Sequence, residues 1–253
     1  MRLATETTTG FAEQVEEGEV GVLPVGSTEQ HGPALPLGTD FLTAEALAVT
    51  VEDRSDAVVL PTIPVGVSDH HRQFHGTLTV PPETFEAYVE GTVESLASHG
   101  VERCVVVNGH GGNRDALSRV ARRLRNDERA FVAPWSWFEA IEETVDEEFG
   151  AFPGHACQVE SSMVLAVARG LVREDRLADA ERGAGESWGR QVHGAELGFD
   201  TLDFTETGAV GEPTKASVEA GERLFDAAAG ELDSLVGWLA ERGLDELRAR
   251  DHV

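Results

Sequence analysis

The chain has 253 residues, 41% of them hydrophobic, so it is long enough to bury a core, and it contains no low-complexity stretch typical of a disordered tail. Its 46 acidic and 20 basic residues give a formal net charge of -26, which disfavours binding to nucleic acid or to an anionic membrane. We therefore predict a globular protein in which residues 1–253 form a single domain.

The acidic excess allows two interpretations. It forms a face for a cationic partner, or it is an adaptation to a very salty cytoplasm, where salt at about 1 M screens charges within about 3 Å. Because the excess is spread along the chain and Lys215 is its one lysine, we favour a halophilic protein. We expect a cytoplasmic location, since the sequence has no apolar targeting segment and no run of about 18 apolar residues. Two cysteines, Cys104 and Cys157, are too few for a disulfide framework and are expected to be reduced.

Short apolar runs alternate with segments of helical periodicity along the first half of the chain. The runs of strand length are Val20–Val25, 57–61 and 101–107, each with glycine or proline close behind. The segments with helical spacing are 43–52, 82–99 and 115–125. This alternation predicts an α/β fold with a mostly parallel sheet that is covered by helices on both faces.

The second half of the chain contains two further helical patterns, a buried one at residues 161–171 and a long amphipathic one at 216–242. Between them, residues 180–213 are irregular and rich in glycine. This segment forms either an extended loop or a partly stranded insertion. Long ordered loops are usually functional, so we expect it to contribute to a subunit contact or a lid.

Three candidate metal ligands follow the first predicted strand. The segment GSTEQHGPALPLGTD, residues 26–40, places Glu29, His31 and Asp40 close together in the sequence. Carboxylate and imidazole groups are the ligands that a borderline-hard divalent metal takes from protein, and residues spaced by two on an extended segment project to the same side. This cluster predicts an enzyme with a metal site.

Two further clusters contain residues of the same kinds. In NGHGGN, residues 108–113, His110 stands between glycines directly after a predicted strand, where open α/β sheets place their sites. Given the first cluster, we favour a functional over a structural histidine there. In GHACQVESS, residues 154–162, His155 and Glu160 stand at the start of a predicted helix. The alternative interpretation of Glu160 is a carboxylate that complements the helix dipole.

Histidine and aromatic residues could line a pocket near these clusters. The segment SDHHRQFHGT, residues 68–77, contains His70, His71 and His75, of which we favour His71 as a pocket residue; exposure to solvent is the alternative. The segment APWSWFEA contains three aromatic residues that either wall a pocket for a flat ligand or pack in the core: Trp135, Trp137 and Phe138.

Taken together, these motifs resemble those of the creatininase family. The resembling segments are, in chain order, GSTEQHGPALPLGTD, the histidine-containing stretch that ends in FHGT, VVVNGHGGN, HACQVESS and TGAVGEPTKASVEAGE. The resemblance implies a three-layer αβα sandwich and a homo-oligomer, often a hexamer. It also implies two divalent metal ions, which are zinc, manganese or iron.

The resemblance further implies which side chains hold the two ions. Glu29, Asp40 and His110 would hold one ion. His31, Asp40 and a further glutamate would hold the other, so that Asp40 bridges the pair.

The chain departs from the creatinine-hydrolysing members at two positions. Their further glutamate stands two residues after the histidine of the NGH motif, where this chain has Gly112. We assign its role to Glu160, as in similar members that carry NGHGGN. The first motif of the family also often has a histidine where this chain has Ala34, which disfavours creatinine as the substrate.

The implied chemistry is hydrolysis of an amide by metal-bound hydroxide. Two cations lower the pKa of a bound water from 15.7 toward about 7 and polarise the attacked carbonyl. The departing nitrogen needs a proton, which His155 or His71 could supply because imidazole titrates near neutral pH. We favour His155, whose motif is shared with the family.

The substrate is expected to be a small-molecule amide. Members of the family open the ring of creatinine, deformylate a formamidopyrimidine ribonucleotide in riboflavin and deazaflavin synthesis, or trim the precursor peptide of a redox cofactor. We predict the formamide, which suits a salt-loving archaeon. The sequence shows no clear phosphate site, and the candidate phosphate contacts are Arg72, Arg114 and the backbone amides of NGHGGN. Creatinine or another cyclic amide is the alternative. A non-catalytic, metal-binding structural module is the alternative of another class, disfavoured because structural zinc sites are usually rich in cysteine.

Overall fold

The computed structural model describes residues 1–15, 19–150, 154–197 and 200–250. The described strands are β1 (Val20–Val25), β2 (Ala57–Val59), β3 (Arg103–Asn108), β4 (Phe131–Ser136), β5 (Arg190–Val192) and β6 (Ala195–Leu197). The described helices are α1 (Thr8–Gln14), α2 (Thr39–Val49), α3 (Pro82–Ala97), α4 (Arg114–Asn126), α5 (Trp137–Ala140), α6 (Glu142–Phe149), α7 (Gln158–Ala168), α8 (Leu177–Arg182), α9 (Val218–Ala240) and α10 (Leu244–Leu247).

The central sheet has the strand order β2-β1-β3-β4, and all of its neighbouring strands are parallel. Successive residues of a strand point to opposite faces, so Val20 and Val22 join one core cluster and Leu23 and Val25 join the other. Burial on both faces explains why these strands are nearly continuous apolar runs rather than alternating ones. The predicted α/β fold with a parallel sheet is confirmed.

Helices cover both faces of the sheet. One face packs against α2, α7 and α9, whose buried side chains include Leu47, Met163 and Leu224. The other face packs against α3 and α4 through residues that include Phe85 and Leu117. The predicted three-layer αβα sandwich is therefore confirmed.

The carboxyl ends of β1 and β3 lie side by side beneath the start of α2. The amide of Gly109 donates a hydrogen bond of 2.9 Å to the carbonyl of Val25. A β-carbon on Gly26 would lie 2.4 Å from the amide nitrogen of Phe41, and one on Gly109 would lie 2.2 Å from the carbonyl oxygen of Asp40. Glycine at both positions lets α2 approach the strand ends. Asp40, in the first turn of α2, is thereby brought beside the residues that follow both strands.

Three predicted segments differ from the structure by more than two residues at an end or in the kind of element. Helix α2 begins at Thr39 rather than residue 43, because the buried residues of its first turn, Thr39 and Asp40, are polar and do not extend the apolar periodicity from which the start was predicted. The segment 161–171 consists of most of α7 followed by a 3-10 turn, Arg169–Leu171. The segment 180–213 contains the end of α8 and the antiparallel hairpin β5–β6, as in the partly stranded interpretation; residues 198–199 of it lie outside the described residues.

Two general properties bear on the other predictions. Within the described ranges, no helix is both long and apolar enough to cross a membrane. Cys104 and Cys157 are buried and free, and burial raises the pKa of each thiol to about 12, so neither is a ready nucleophile.

Candidate metal centre

The first ligand group consists of Glu29, Asp40 and His110. Nδ1 of His110 lies 3.2 Å from Oε1 of Glu29 and 3.3 Å from Oδ2 of Asp40. Glu29 follows β1, His110 follows β3 and Asp40 comes from α2, so the three side chains meet at the carboxyl edge of the sheet. This is the edge at which the sequence predicted a site.

The second ligand group consists of His31, Asp40 and Glu160. Nε2 of His31 lies 3.1 Å from Oδ1 of Asp40 and 4.0 Å from Oε1 of Glu160, which stands in the first turn of α7. The two oxygens of Asp40 thus face different groups, as a bridging carboxylate requires. All members of both groups are buried, with at most 6% exposure.

The buried atoms of these groups fit divalent cations. Within the described residues, Oε1 of Glu29, Nε2 of His31 and Oδ2 of Asp40 make no hydrogen bond, although each is buried. Buried polar atoms without partners are costly, and carboxylate oxygens with imidazole nitrogens are ligands of zinc, manganese and iron. One ligand atom from each of Glu29, His31 and Asp40 lies within 4.8 Å of the others. The donor set therefore suits the two ions that the resemblance implies.

Hydrogen bonds orient the first ligand group. The hydroxyl of Ser68 donates to Oε2 of Glu29 at 2.5 Å, which leaves Oε1 facing His110. Nε2 of His110 lies 2.9 Å from the carbonyl oxygen of Val67. A proton on Nε2 is donated to that carbonyl, so the lone pair of Nδ1 points toward Glu29 and Asp40. Partners of this kind fix the tautomer and orientation of metal-binding histidines.

A backbone amide orients Glu160 in the second group. The amide of Ala156 donates to Oε2 of Glu160, which leaves Oε1 facing His31. Both predicted interpretations of Glu160 are therefore geometrically satisfied, because the residue lies in the first turn of α7 and also within the second ligand group.

The metal-free centre holds protons at neutral pH. Burial opposes a positive charge on His31, but the Asp40 carboxylate outweighs it and raises the pKa of His31 to about 9. Burial raises the pKa of Glu160 to about 7. Burial also opposes charge on Glu29, yet the neighbouring His110 holds its pKa well below the usual range.

Metal loading is therefore expected to release protons, with an affinity that rises with pH. His31, with a pKa of about 9, must lose its proton before Nε2 can bind a cation. Against burial, Glu29 and Asp40 also raise the pKa of His110 well above its usual value, so between pH 7 and 9 the affinity for manganese should rise by up to about tenfold per unit for each proton that the metal displaces. Calorimetric titration in two buffers of different ionisation enthalpy would count the protons, and an affinity independent of pH over this range would contradict the assignment.

His155 and His71 flank the centre, and their rings stack with centroids 4.4 Å apart. Nε2 of His155 lies 2.8 Å from the carbonyl oxygen of Gln30, and its Nδ1 lies 3.9 Å from Oε1 of Glu29. Nε2 of His71 lies 3.4 Å from the same oxygen. Burial lowers the pKa of His155 to about 3 and also lowers the pKa of His71, so both rings are neutral near pH 7.

A cavity of about 400 Å³ lies over the two ligand groups. Its lining includes Asp40, His70, His71, His110, Arg114, Phe138, His155, Glu160 and Trp188. A larger groove of about 790 Å³ between α1 and α3 shares no lining residue with it. The predicted chemistry therefore belongs to the smaller cavity.

Several predicted pocket residues lie elsewhere. His75 is exposed and does not line the cavity, and Trp137 is packed in the core with 2% exposure. Of the predicted aromatic wall, Phe138 lines the cavity, whereas Trp135 packs against the core and does not line the cavity. Trp188, which the sequence did not single out, lines it instead.

Gly112 has no room for a side chain. A β-carbon there would lie 2.3 Å from the carbonyl oxygen of Val67 and 2.4 Å from Nε2 of His110. The glutamate that the creatinine-hydrolysing members carry at this place therefore cannot be accommodated without moving backbone.

We expect Gly112→Ala to lower the free energy of unfolding by about 1–3 kcal/mol because the Val67 backbone must shift. Gly111→Ala is the matched control, since a β-carbon at Gly111 meets nothing within 4 Å. Denaturant unfolding of the two variants measures the difference, and equal stabilities would contradict the packing described.

Comparison with known proteins agrees with this geometry. Residues 4–236 match the sequence profile of the creatininase family, described as creatinine amidohydrolase. The mycofactocin precursor peptide peptidase of Mycolicibacterium smegmatis is 33% identical over 229 residues, which are 87% of this chain and 86% of that protein. Creatinine amidohydrolase of Pseudomonas putida is 30% identical over 176 residues, 62% of this chain and 68% of that protein.

Two further similarities bear on fold and substrate. The 2-amino-5-formylamino-6-ribosylaminopyrimidin-4(3H)-one 5'-monophosphate deformylase of Methanothermobacter marburgensis is 34% identical over 96 residues, 37% of this chain and 41% of that protein. A crystal structure of creatinine amidohydrolase superposes with a TM-score of 0.79 at 23% identity, covering 96% of this chain and 98% of that one. The resemblance inferred from the motifs is confirmed, and the chain belongs to the creatininase family of metal-dependent amidohydrolases.

Proposed function

We propose that this amidohydrolase cleaves an amide bond of a peptide, at two divalent ions held by the two ligand groups. The observation that carries the proposal is the position of Asp40, whose carboxylate oxygens face both groups at the floor of one open cavity. A single metal site or a structural site would not need a shared carboxylate beneath a cavity. The orphaned ligand atoms support the presence of both ions.

Bound cations would activate a water molecule and polarise the carbonyl of the scissile amide. His155 is placed to transfer the proton that this water molecule loses. Because its Nε2 hydrogen is donated to the carbonyl of Gln30, the free Nδ1 faces the centre. Nδ1 can accept the proton that the attacking water loses and deliver it to the departing nitrogen.

His71 has a different role. The side-chain amide of Gln30 donates to Nδ1 of His71 at 2.9 Å, so the ring carries its proton on Nε2. Nε2 lies 3.4 Å from Oε1 of Glu29, close enough for an electrostatic contact with that carboxylate but without a hydrogen bond. We therefore assign proton transfer to His155 and the positioning of Glu29 to His71.

A peptide is favoured over a formamidopyrimidine nucleotide for two reasons. The Mycolicibacterium relative, which matches most of both chains, is named as a precursor peptide peptidase. Two of the predicted phosphate contacts, the two arginines, already have carboxylate partners: Arg72 pairs with Asp200 at 2.5 Å, and Arg114 pairs with Glu139. Formamide hydrolysis is the second candidate because of the partial match to the Methanothermobacter deformylase.

The test compares three substrates on one protein. The chain is purified in high salt, stripped with a chelator and loaded separately with zinc, manganese or iron(II). Cleavage of a mixture of short peptides is followed by mass spectrometry, beside formate release from the formamidopyrimidine nucleotide and ring opening of creatinine. We expect metal-dependent appearance of new peptide termini. Formate release without peptide cleavage would overturn the proposal in favour of the second candidate.

The homo-oligomer, the cytoplasmic location and the halophilic character remain predictions. The net charge of -26 supports the halophilic character, since salt would screen the repulsion between acidic groups. Light scattering over a series of potassium chloride concentrations would measure both the assembly and its dependence on salt.

A further inference from the structure

Trp188 lies at the mouth of the cavity and is 42% exposed. Its indole ring contacts three histidine rings of the site, with centroids 5.7 Å from His70, 5.8 Å from His71 and 6.0 Å from His155. The indole is inclined to these imidazoles by 61° to 81°. A large aromatic surface is thus left open to solvent directly beside the groups that would handle the substrate.

His70 supplies a second flat surface at the same place. Its ring is half-buried and lies parallel to that of His110, with an angle of 5° and centroids 5.7 Å apart. None of the described residues forms a hydrogen bond with the ring nitrogens of His70, so packing alone holds the ring among its described neighbours. Gly112 makes room for it, since a β-carbon there would lie 3.0 Å from Cε1 of His70.

The two rings therefore line one side of a cavity whose floor is the metal centre. Phe138 adds a third aromatic side chain to the same lining. Aromatic rings attract one another in stacked or edge-to-face arrangements with centroids about 4.5–7 Å apart, and each such pair adds an attraction beyond that of area burial. A saturated ring of the same size would bury apolar area against these rings but would lack the directional attraction between aromatic rings.

We propose that Trp188 and His70 form a substrate-binding wall that selects amides carrying a planar, unsaturated ring next to the scissile bond. The inference deepens the proposed function, because it assumes that the substrate amide binds at the metal centre. An aromatic side chain of a peptide and a free heterocycle both provide such a ring. The wall concerns binding, so it is testable without turnover.

The test uses two hydroxamic acids on the zinc-loaded protein. Benzohydroxamic and cyclohexanecarbohydroxamic acids chelate metal through the same group and differ in the planarity of their six-membered ring. We expect the planar probe to bind about three- to tenfold more tightly by calorimetry. The ratio should fall to near one in Trp188→Ala and in His70→Ala, whereas Trp188→Phe should keep most of it.

Three controls separate recognition from structural damage. Acetohydroxamic acid, which has no ring, should bind all variants equally, and zinc content should not change. Trp238→Ala removes a tryptophan of similar exposure, 46%, that does not line the cavity, and it should leave the ratio intact. A ratio that persists in Trp188→Ala would overturn the proposal, as would equal weakening of all three probes or the absence of any preference in the unaltered protein.

The binding and cleavage measurements can also fail separately. If peptides are not cleaved but the ratio of the two probe affinities depends on Trp188, the peptide substrate would be wrong and the substrate-binding wall would stand. A cleaved peptide that has no planar residue at the scissile bond, together with a ratio near one, would remove the wall and leave the activity. Separate measurements of binding and cleavage therefore test the two proposals independently.

Discussion

Asp40→Ala is expected to lower kcat/KM by more than about 1000-fold, because the loss of the metal ions removes the activated water and the polarising charge together. Asp40 faces both ligand groups, with Oδ1 at 3.1 Å from Nε2 of His31 and Oδ2 at 3.3 Å from Nδ1 of His110. With two ions bound as proposed, its removal would deprive each ion of a ligand, so we expect metal content to fall well below that of the unaltered protein. Elemental analysis after desalting and kcat/KM on the cleaved substrate are the two measurements.

Asp115→Ala is the matched control for this variant. Asp115 stands in the first turn of α4 as Asp40 stands in the first turn of α2, but it is exposed and belongs to neither ligand group. It should keep both ions and full activity. Circular dichroism of Asp40→Ala should remain that of the folded protein. A full metal load in that variant would show that Asp40 does not bridge.

The strands and the position of the site follow from local features of the sequence. The run Val20–Val25 matches β1 at both ends, because a strand buried on both faces needs apolar residues throughout. His110 was placed correctly because residues directly after parallel strands meet at one edge of the sheet. The single-domain prediction for residues 1–253 remains a prediction.

Residues that reach the site from a distant part of the chain could not be identified from local sequence patterns. Trp188 lies beside β5 in a glycine-rich segment without periodicity, and it reaches the cavity through the path of the chain after α8. Ser68 reaches Glu29 from a loop that follows β2. Ser68 begins the histidine-rich segment that was predicted to line a pocket, but no local pattern indicates its contact with Glu29, and none distinguishes Trp188 from an ordinary surface residue.

In the aromatic motif APWSWFEA, the sequence also could not predict which way each side chain points. Trp137 and Phe138 are neighbours at the start of α5, yet Trp137 is buried in the core and Phe138 lines the cavity. A helix turns by about 100° per residue, so adjacent residues face different surroundings. Which of the two faces the cavity is decided by where α5 lies against the sheet.

The sequence left open whether Glu160 is a metal ligand or only a carboxylate that complements the dipole of α7, and Glu160→Gln is expected to decide it. Glutamine keeps the volume and can still accept from the amide of Ala156, but it removes the charge that faces His31. If Glu160 is a ligand, the second ion is lost while the first ligand group stays intact. Metal content should then fall by about half, and kcat/KM should fall by about 100- to 1000-fold, as when one electrostatic partner of the reaction is lost.

Glu219→Gln provides the comparison, because Glu219 also lies in the first turn of a helix, α9, but is exposed and outside both ligand groups. A dipole role alone predicts that both substitutions cost about 0.3–1 kcal/mol of stability and that neither changes the metal content. A ligand role predicts that only Glu160→Gln loses an ion. A fall in unfolding free energy in both variants with unchanged metal content would therefore indicate the dipole role. A fall in metal content in Glu160→Gln alone would indicate the ligand role. Since Gly112 has no room for the glutamate of the creatinine-hydrolysing members, retention of both ions by Glu160→Gln would require a ligand for the second ion outside both groups.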